Sequence, residues 1–469
     1  MHKIVSLLLL TLFLSSGASV AQVGTLDSTF LSGDGPNRQV KTIAVQPDGK
    51  ILIGGGFVEY DGIDITRLAR LNADGTLDNS FRIGDGPSGT VEKIELVEDG
   101  KMFVVGSIST YNGVRSDFIV KLNDDGSRDN TFNIIHNSGV SSSASDLVVL
   151  EDGSIFIAGG IRDFNSTGLD FLVKLNPDGS QNTDFDQGSG FDRSINAIDM
   201  QSNGKIIVGG NFTEYNGQAI RYLARLNING TLDTTFNTDE RGPSNKISEV
   251  KVLADDRIIV AGSIGNYNGI STNDVIKILP DGELDISFQP SVSDAEQIFV
   301  QPDGKVIVVG PYTFLNADRR SLMRYNSDGT FDSLFISGMG AGPNAKLESC
   351  ALQSDGKILI GGTFSFTTYD STRINILARI NGDVQVSEVD PVAVREVLEI
   401  YPNPVDDHLH FRGAIQKGKF RIYGLGGRLM KRGVLQHGAP ISVEDLESGI
   451  YHLLLDEGSR AYRGRFVVR

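Results

Sequence analysis

The sequence has few of the residues from which catalytic and metal centres are usually built. Its 469 residues include one cysteine, six histidines and no tryptophan. The single cysteine, Cys350, excludes an intrachain disulfide, and its strand-like context predicts a structural thiol. The one histidine between residues 22 and 396 is His136, so this part of the chain cannot form a His-centred catalytic triad or a multi-histidine metal site.

Long apolar runs are also absent, apart from one near the start. Residues 4–14 follow a short basic stretch and precede small residues, which is the pattern of a signal peptide over residues 1–21 with cleavage between Ala21 and Gln22. The run is shorter than the roughly 20 residues needed to cross a bilayer. The sequence therefore predicts secretion and no transmembrane segment in the mature chain.

Charge is unevenly distributed along the chain. The formal net charge is −16, while residues 397–469 hold eleven Lys or Arg and eight Asp or Glu, a net of +3. Once residues 1–21 are removed, residues 22–396 carry −20. A body this acidic repels phosphates and excludes nucleic acid as a partner. The change of sign predicts a domain boundary near residue 397.

A phrase ending in phenylalanine recurs through the acidic part, beginning with "VGTLDSTF" at 23–30. Its final residues are Phe30, Phe81, Phe132, Phe185, Phe236, Phe288 and Phe335, spaced by 51, 51, 53, 51, 52 and 47 residues. Each period also contains a strand-like run, an apolar strand such as "KILIGG", a turn such as "YNG" and a strand such as "RLARLN". Four short strands with hairpin turns predict a β-propeller blade, and they favour it over an open β-solenoid.

The seventh unit stops at Asp383 without its closing phrase, whereas the mature chain begins with one. We therefore predict an all-β fold whose main domain is a seven-bladed propeller over residues 22–384, with residues 25–30 completing the last blade. This closure places Leu26 and Phe30 in the same blade as the strand at 357–362. A closed ring leaves only short, protected sheet edges.

The stretches "QPDGKILIGGGFVEYDG" and "RLARLNADGTLDNSF" resemble the delta-60 repeat family of bacterial secreted proteins. The resemblance covers most of residues 23–383 and recurs seven times. It implies propeller-like repeats and an extracellular setting, and it implies no particular reaction.

After a linker at 385–396, residues 397–469 show short alternating strands that predict a small antiparallel β-sandwich. "EIYPNPVDDHLHF", "FRIYGLGGRLM", "LESGIYHLLL" and "RGRFVVR" resemble the type A C-terminal sorting domain of the type IX secretion system in Bacteroidota. The resemblance implies the type IX machinery as a partner and export across the outer membrane to the cell surface or the exterior. The matching residues are Tyr401, Pro402, Asn403, Pro404, Gly427, Gly449, Tyr451, Arg465 and Arg469.

Candidate ligand-binding residues are aromatic and recur in one loop per repeat. They are Tyr60, Tyr111, Phe164, Tyr215 and Tyr267. Such a ring could stack on sugars, and packing within the turns is the alternative. His408 and His410 share a strand face as a conceivable metal pair, with surface imidazoles as the alternative. The sequence predicts no catalytic residue and no cofactor, although oxygen-rich loops on an acidic body leave a calcium site open.

Two functional hypotheses follow. The first is a non-enzymatic exported propeller that serves as a binding or adhesion scaffold at the cell surface, with a glycan or a surface protein as its ligand. The second is a polysaccharide hydrolase or lyase whose acidic residues converge at one mouth of the propeller. Regular repeats without an irregular insertion favour the first. A single asymmetric acidic pocket would favour the second.

Overall fold

The structure is a computed structural model, and it divides into two compact units, Met1–Val384 and Gln385–Arg469. None of the helices in the described part of the chain is both long and apolar enough to cross a membrane. The described residues are 22–97, 100–134, 143–162, 164, 170–237, 242–315, 318–383, 395–397, 399–412, 417–424, 429–436, 439–446, 448–457 and 460–469.

Seven three-stranded antiparallel sheets follow one another along the first unit, and each is one blade of a propeller. Among the described residues, five blades carry a two-stranded hairpin between their second and third strands. Blades 1 to 4 contain β1 (Val40–Val45), β2 (Ile51–Gly55), β3 (Glu59–Tyr60), β4 (Ile63–Asp64), β5 (Leu68–Leu71), β6 (Val91–Leu96), β7 (Met102–Gly106), β8 (Thr110–Tyr111), β9 (Val114–Arg115), β10 (Ile119–Leu122), β11 (Ala144–Val149), β12 (Ile155–Gly159), β13 (Leu172–Leu175), β14 (Ile195–Met200), β15 (Ile206–Gly210), β16 (Glu214–Tyr215), β17 (Gln218–Ala219) and β18 (Leu223–Leu226).

The remaining blades continue the same order, and a short helix follows blade 6. They contain β19 (Ile247–Val252), β20 (Ile258–Gly262), β21 (Asn266–Tyr267), β22 (Ile270–Ser271), β23 (Val275–Ile278), β24 (Gln297–Val300), β25 (Val306–Leu315), β26 (Asp318–Tyr325), α1 (Ser333–Gly338), β27 (Leu347–Leu352), β28 (Ile358–Gly362), β29 (Thr368–Tyr369), β30 (Thr372–Arg373) and β31 (Leu377–Ile380).

The middle strand ends in glycine in every blade except blade 6, because neighbouring chain segments approach it closely. Every residue of β2, "ILIGG", is buried. A Cβ atom on Gly54 would lie 2.5 Å from the side chain of Val91 in the next blade. A Cβ atom on Gly55 would lie 2.1 Å from the carbonyl oxygen of Gln39. The glycine pair thus permits close packing of sheet against sheet and of chain against sheet.

The predicted fourth strand is reduced to a single bridge, such as Leu71 opposite Leu77. The reason lies in the aspartate of the closing phrase. Asp78 Oδ1 accepts hydrogen bonds from the Ser80 amide at 2.9 Å and from its hydroxyl at 2.6 Å. An aspartate that binds the backbone two residues ahead turns the chain away from a ladder. The closing phrase is therefore a short bridge followed by a turn.

The N-terminal segment occupies the position of this closing phrase in blade 7. Leu26 bridges Ile380, and the Asp27 amide donates to the Arg379 carbonyl at 2.8 Å. Leu26 packs on the core that contains Ile358 and Ile360 of β28. Phe30 packs on a second core, shared by β28 of blade 7 and β2 of blade 1. These contacts join parts of the chain that are more than 300 residues apart.

The second unit has two sheets that share one hydrophobic core. Its strands are β32 (Arg395–Val397), β33 (Glu399–Tyr401), β34 (His408–Arg412), β35 (Lys417–Gly424), β36 (Leu429–Gln436), β37 (Ile441–Ser442), β38 (Gly449–Glu457) and β39 (Arg460–Val468). The five-stranded sheet has the order β32-β39-β38-β35-β36, and the three-stranded sheet has the order β33-β34-β37. The pairing of β32 with β39 is parallel, a departure from the antiparallel arrangement that the sequence predicts.

Candidate functional site

The two ends of each blade carry different kinds of residue. In blade 1, Val40 at the start of β1 pairs with Gly55 at the end of β2, next to the β3–β4 hairpin. We call this end of the blade, and its equivalents, the hairpin end. The opposite end carries the tight turns at 46–50 and 72–76, and we call it the turn end.

The turn end holds a buried ionic network that recurs in the same form in blades 1, 4, 6 and 7. In blade 1, Arg70 Nε lies 2.8 Å and Lys50 Nζ 3.0 Å from Asp78 Oδ2. The Arg70 guanidinium also stacks over Phe81, 4.8 Å from the ring centroid. Equivalent Arg–Asp–Lys groups are Arg225–Asp233–Lys205, Arg324–Asp332–Lys305 and Arg379–Asp27–Lys357. The last of these is completed by Asp27 from the N-terminal segment.

This network also joins neighbouring blades. Arg70 Nη1 lies 2.9 Å from Asp124 Oδ1 of blade 2, and Arg324 Nη1 lies 2.9 Å from Asp383 Oδ2 of blade 7. Asp129 is the residue of blade 2 that corresponds to Asp78 in blade 1. Burial alone would raise the pKa of Asp129, but hydrogen bonds from Thr131 and Lys101 lower that pKa to about 2. The recurring aspartates of the closing phrase are thus charged structural groups, and their repetition explains the repeat in the sequence.

A channel of about 690 Å³ runs between the first strands of the blades. That volume lies within the range of small-ligand sites, about 300–1,000 Å³. Strand register defines two rings of positions there. The ring nearer the hairpin end, which we call the upper ring, has one residue per blade, each paired with the fourth residue of the second strand of its blade. Its members are Thr42, Lys93, Asp146, Ala197, Glu249, Gln297 and Ser349. The lower ring pairs with the second residue and consists of Ala44, Glu95, Val148, Asp199, Lys251, Phe299 and Ala351.

The charges of these rings are concentrated on blades 2 to 5. The four carboxylates, which we call the acidic sector, are Glu95, Asp146, Asp199 and Glu249. Two lysines accompany them: Lys251 Nζ lies 3.0 Å from Glu249 Oε1, and Lys93 pairs with Asp146. Burial raises the pKa values of Glu95, Asp199 and Glu249 because the two lysines offset only part of the desolvation.

The other blades contribute uncharged residues to both rings, including Phe299, Ala351 and Ala44. The channel is therefore one asymmetric site of mixed charge, and its seven walls are not equivalent. Near its hairpin end, Lys41 pairs with Glu92 at 2.8 Å, and Lys346 pairs with Glu296 at 2.6 Å. Apolar side chains on three surrounding hairpins are about half exposed: Ile63, Val114 and Ile270.

The aromatic residues predicted to form a sugar-stacking ring are buried, so that prediction is wrong. Their exposed fractions do not exceed 2% for Tyr60, Tyr111, Phe164, Tyr215 and Tyr267. The Tyr60 hydroxyl donates to the Gly75 carbonyl at 2.6 Å, and Tyr111 makes the same bond to Gly126. These rings fasten each hairpin to the turn of its closing phrase, which is the packing role weighed as the alternative. The constant spacing of fifteen residues between the tyrosine and the glycine is the sequence feature that indicates this packing role.

The predicted histidine pair is also not assembled as a metal site. His410 stacks on Tyr401, with ring centroids 5.6 Å apart. His408 instead lies with Asp407 and Glu444, whose potential ligand atoms all fall within 4.8 Å of one another. This is the only such group of three or more His, Cys, Asp or Glu within the described ranges. The two carboxylates of this group are exposed.

The sorting-motif residues meet where the two ends of the second unit come together. Asn403 Oδ1 accepts from the Val467 amide at 2.9 Å, and the Arg469 amide donates to the Val405 carbonyl at 3.0 Å. Tyr451 is buried and stacks on Phe466 with a centroid distance of 5.6 Å. Tyr401 ends β33 and is 45% exposed.

The other predicted motif residues have simple positions. Gly449 begins β38, Arg465 belongs to β39, and Pro402 and Pro404 are exposed. Gly427, Ala21 and His136 lie outside the described residues, whereas Gln22 is the first described residue.

The lone thiol behaves as expected for a structural residue. Cys350 is half-buried beside the channel, and desolvation raises the pKa of its thiol to about 12, which leaves the thiol protonated at neutral pH.

Seven segments match a domain of unknown function (DUF5122) described as a beta-propeller. They are residues 46–81, 98–132, 150–185, 201–236, 253–288, 301–335 and 353–383, which is just over half of the chain. The chain belongs to the DUF5122 beta-propeller family. The predicted seven-bladed architecture is therefore confirmed.

Residues 399–469 of this DUF5122 propeller match a secretion system C-terminal sorting domain. The predicted type IX sorting domain is confirmed, and it directs export of the protein to the cell surface or the extracellular space.

Several solved structures are similar to the DUF5122 propeller at low identity. Two are extracellular domains from B. thetaiotaomicron, of a hybrid two component system and of a one component system. The first is 13% identical to this chain with a TM-score of 0.44, and the match covers 92% of this chain and 55% of the other. The second is 12% identical with a TM-score of 0.48, and the match covers 96% of this chain and 58% of the other. The chain thus spans little more than half the length of these proteins.

A third similar structure is the virginiamycin B lyase of Staphylococcus aureus. It is 11% identical with a TM-score of 0.44 and covers 75% of this chain and 96% of its own. No curated protein matches the sequence.

Proposed function

We propose that this exported DUF5122 propeller is a binding scaffold and that its ligand binds in the central channel. One observation carries the proposal: the charged residues of the channel differ from blade to blade, whereas the ionic network at the turn end repeats. Blades that pack alike are stabilised by like residues. Channel residues that differ from blade to blade are therefore better explained by a single binding site than by a structural role shared by the seven blades.

Three carboxylates of the acidic sector, Glu95, Asp199 and Glu249, are also costly for the fold. Carboxylates with a raised pKa are less well solvated in the folded chain than in water, so their charge opposes folding at neutral pH. Groups that reduce stability are typical of functional sites. The channel offers carboxylates and ammonium groups side by side, which suits a ligand rich in hydrogen-bond donors and acceptors, such as a glycan or a polar segment of a surface protein.

The test uses the mature chain, residues 22–469, on glycan and surface-protein arrays. We expect a ligand whose binding falls about tenfold or more in the double variant Asp199→Asn, Glu249→Gln, since each lost charge-assisted hydrogen bond contributes about 1.5–3 kcal/mol. The control is Asp48→Asn, which changes an exposed aspartate at the turn end. Equal loss in the control, or no ligand on either array, contradicts the proposal.

A polysaccharide hydrolase or lyase is the second candidate, and one specific observation favours it. Burial raises the pKa of Glu95 within this asymmetric site, and a carboxyl with a raised pKa is better suited to act as a general acid than one with an ordinary pKa. Turnover of any polysaccharide that disappears in Glu95→Gln would support this candidate. It would also overturn the non-catalytic role.

A further inference from the structure

A groove of about 510 Å³, which we call the blade 7 groove, opens between β31 and the N-terminal segment. Its apolar lining includes Leu26, Phe30, Leu31, Ile374 and Leu377, and Leu31 is 57% exposed. The volume lies within the range of small-ligand sites, about 300–1,000 Å³. The equivalent cavity of blade 5 is smaller, about 140 Å³, which is below that range. The blade 7 groove shares no lining residue with the central channel.

The groove is open because one of its side chains is shorter than the equivalent side chain in other blades. The residue two positions after the phenylalanine of the closing phrase is Ile83 in blade 1 and Ile134 in blade 2, and both are buried. Ile83 shares a hydrophobic core with Leu68, the first residue of β5. In blade 7 this position is Ser32, which lines the groove together with Leu377, the first residue of β31. A serine is too short to fill the space that an isoleucine occupies.

The groove also contains a backbone acceptor, as a comparison with blade 3 shows. There Gln187 holds the equivalent position, is fully buried and donates from its side-chain amide to the Leu172 carbonyl at 2.9 Å. Leu172 begins β13 as Leu377 begins β31. The Arg379 carbonyl accepts from the Asp27 amide, and the Leu377 carbonyl points to the same side of the strand because it lies two residues earlier. Within the described ranges no donor contacts the Leu377 carbonyl, since the closing phrase turns away after Asp27.

We infer that the blade 7 groove docks an extended peptide segment of another protein, with an aliphatic side chain in the groove and a backbone amide on the Leu377 carbonyl. The other blades show which chemistry fits, because an isoleucine fills this place in blades 1 and 2 and an N–H donor fills it in blade 3. A peptide supplies both groups.

Charges at the groove narrow the class of peptide further. Asp34 and Arg373 both line the groove and are exposed. Electrostatic complementarity therefore predicts residues of both signs beside the aliphatic residue of the peptide. This docking site does not depend on the function proposed for the channel.

The test selects binders of the mature chain, residues 22–469, from a display library of random heptapeptides. Peptides that also bind Ser32→Ile are removed, because an isoleucine at this position should fill the groove as Ile83 does. We expect the remaining peptides to share an isoleucine, leucine or valine and to bind Ser32→Ile about tenfold or more weakly than wild type. Replacing the amide of that residue by an ester should weaken binding severalfold, since an ester has no N–H donor.

The matched control is Ser337→Ile, the same change two residues after the phenylalanine of blade 6, at an exposed position of α1. The selected peptides should bind this variant as they bind wild type. Ser32→Ile should unfold at or above the wild-type temperature, because its side chain enters an apolar space. If it unfolds at a lower temperature, the smaller Ser32→Val replaces it in the selection and should weaken binding in the same way.

Four results would overturn the inference. No peptide remains after removal of those that bind Ser32→Ile, or the remaining peptides lack an aliphatic residue. The ester binds as tightly as the amide, which would leave no role for the Leu377 carbonyl. Sedimentation shows a dimer that Ser32→Ile dissociates, which would assign the groove to a second copy of the chain. A channel ligand found on the arrays should bind Ser32→Ile normally, so failure at the groove leaves the proposed channel function separately testable.

Discussion

Truncation of the mature chain to begin at Leu31 is expected to destabilise the whole propeller. The change removes the bridge between Leu26 and Ile380 and the ion pair between Asp27 and Arg379, which are 2.7 Å apart. Arg379 would be left buried without its carboxylate, which alone costs about 3–5 kcal/mol. Thermal unfolding of residues 22–469 and 31–469, followed by circular dichroism, measures the difference.

The point variant Asp27→Asn separates the ion pair from the strand. It should reproduce a large part of the loss while keeping the backbone pairing to β31 intact. N-terminal residues are normally dispensable when they are not held by the fold. A truncated chain that melts at the temperature of the full mature chain would show that the N-terminal segment does not hold the ring.

The second large effect is expected at Asp233 in blade 4. Asp233→Asn removes the negative charge that lies 2.7 Å from Arg225 Nε, and both side chains are about 95% buried. An uncompensated buried arginine predicts a loss of about 3–5 kcal/mol in the free energy of unfolding. Lys205→Ala, at the same aspartate but with 29% of its side chain exposed, should cost no more than about 1 kcal/mol.

The pH dependence of this effect has a definite sign. Hydrogen bonds from Lys205 and Thr235 outweigh burial and hold the pKa of Asp233 well below its usual range. A carboxylate with a depressed pKa stabilises the fold above its unfolded pKa, near 4, and this contribution is lost as the pH falls towards the folded value. Urea unfolding at pH 7 and pH 3 should show the gap between wild type and Asp233→Asn narrowing. A neutral effect at pH 7, or an equal one for Lys205→Ala, would contradict the structural role.

The repeat made much of the fold predictable. The constant spacing from Phe30 to Phe335 marks supersecondary units, and the absence of a closing phrase after Asp383 points to Leu26 as its replacement. The reduction of the fourth strand to a single bridge is harder to predict from the sequence. The sequence pattern predicts a strand through the aspartate of the closing phrase, whereas the side chain of this aspartate accepts hydrogen bonds from the residue two positions ahead and turns the chain.

The candidate site was harder to predict because it depends on register between blades. Glu95 and Asp199 are more than 100 residues apart and belong to runs that resemble ordinary half-buried strands. They share a channel only because seven first strands line it in the same register. The sugar-stacking ring was a wrong prediction because recurrence alone does not show exposure. Tyr60 and its equivalents are easily seen in the sequence, but each is enclosed by its own blade.

The turn end and the central channel of the propeller therefore have different tasks. At the turn end, repeated ion pairs such as Arg225–Asp233 stabilise the blades and join them to one another. In the channel, unrepeated carboxylates such as Glu95 are held at a cost to stability. This division is the central claim, and it can be tested without knowing the ligand.

The most direct test is the thermal stability of Glu95→Gln beside Asp233→Asn. Burial raises the pKa of Glu95, so the penalty for its charge is absent below the unfolded pKa, near 4.3, grows as the pH rises from there to the raised folded value, and is fully present above that value. We predict that Glu95→Gln melts at or above the wild-type temperature at pH 7, with little difference at pH 4, while Asp233→Asn melts well below it at pH 7. If Glu95→Gln instead lowers the unfolding temperature as much as Asp233→Asn does, the channel charges are structural and the division between the turn end and the channel is wrong.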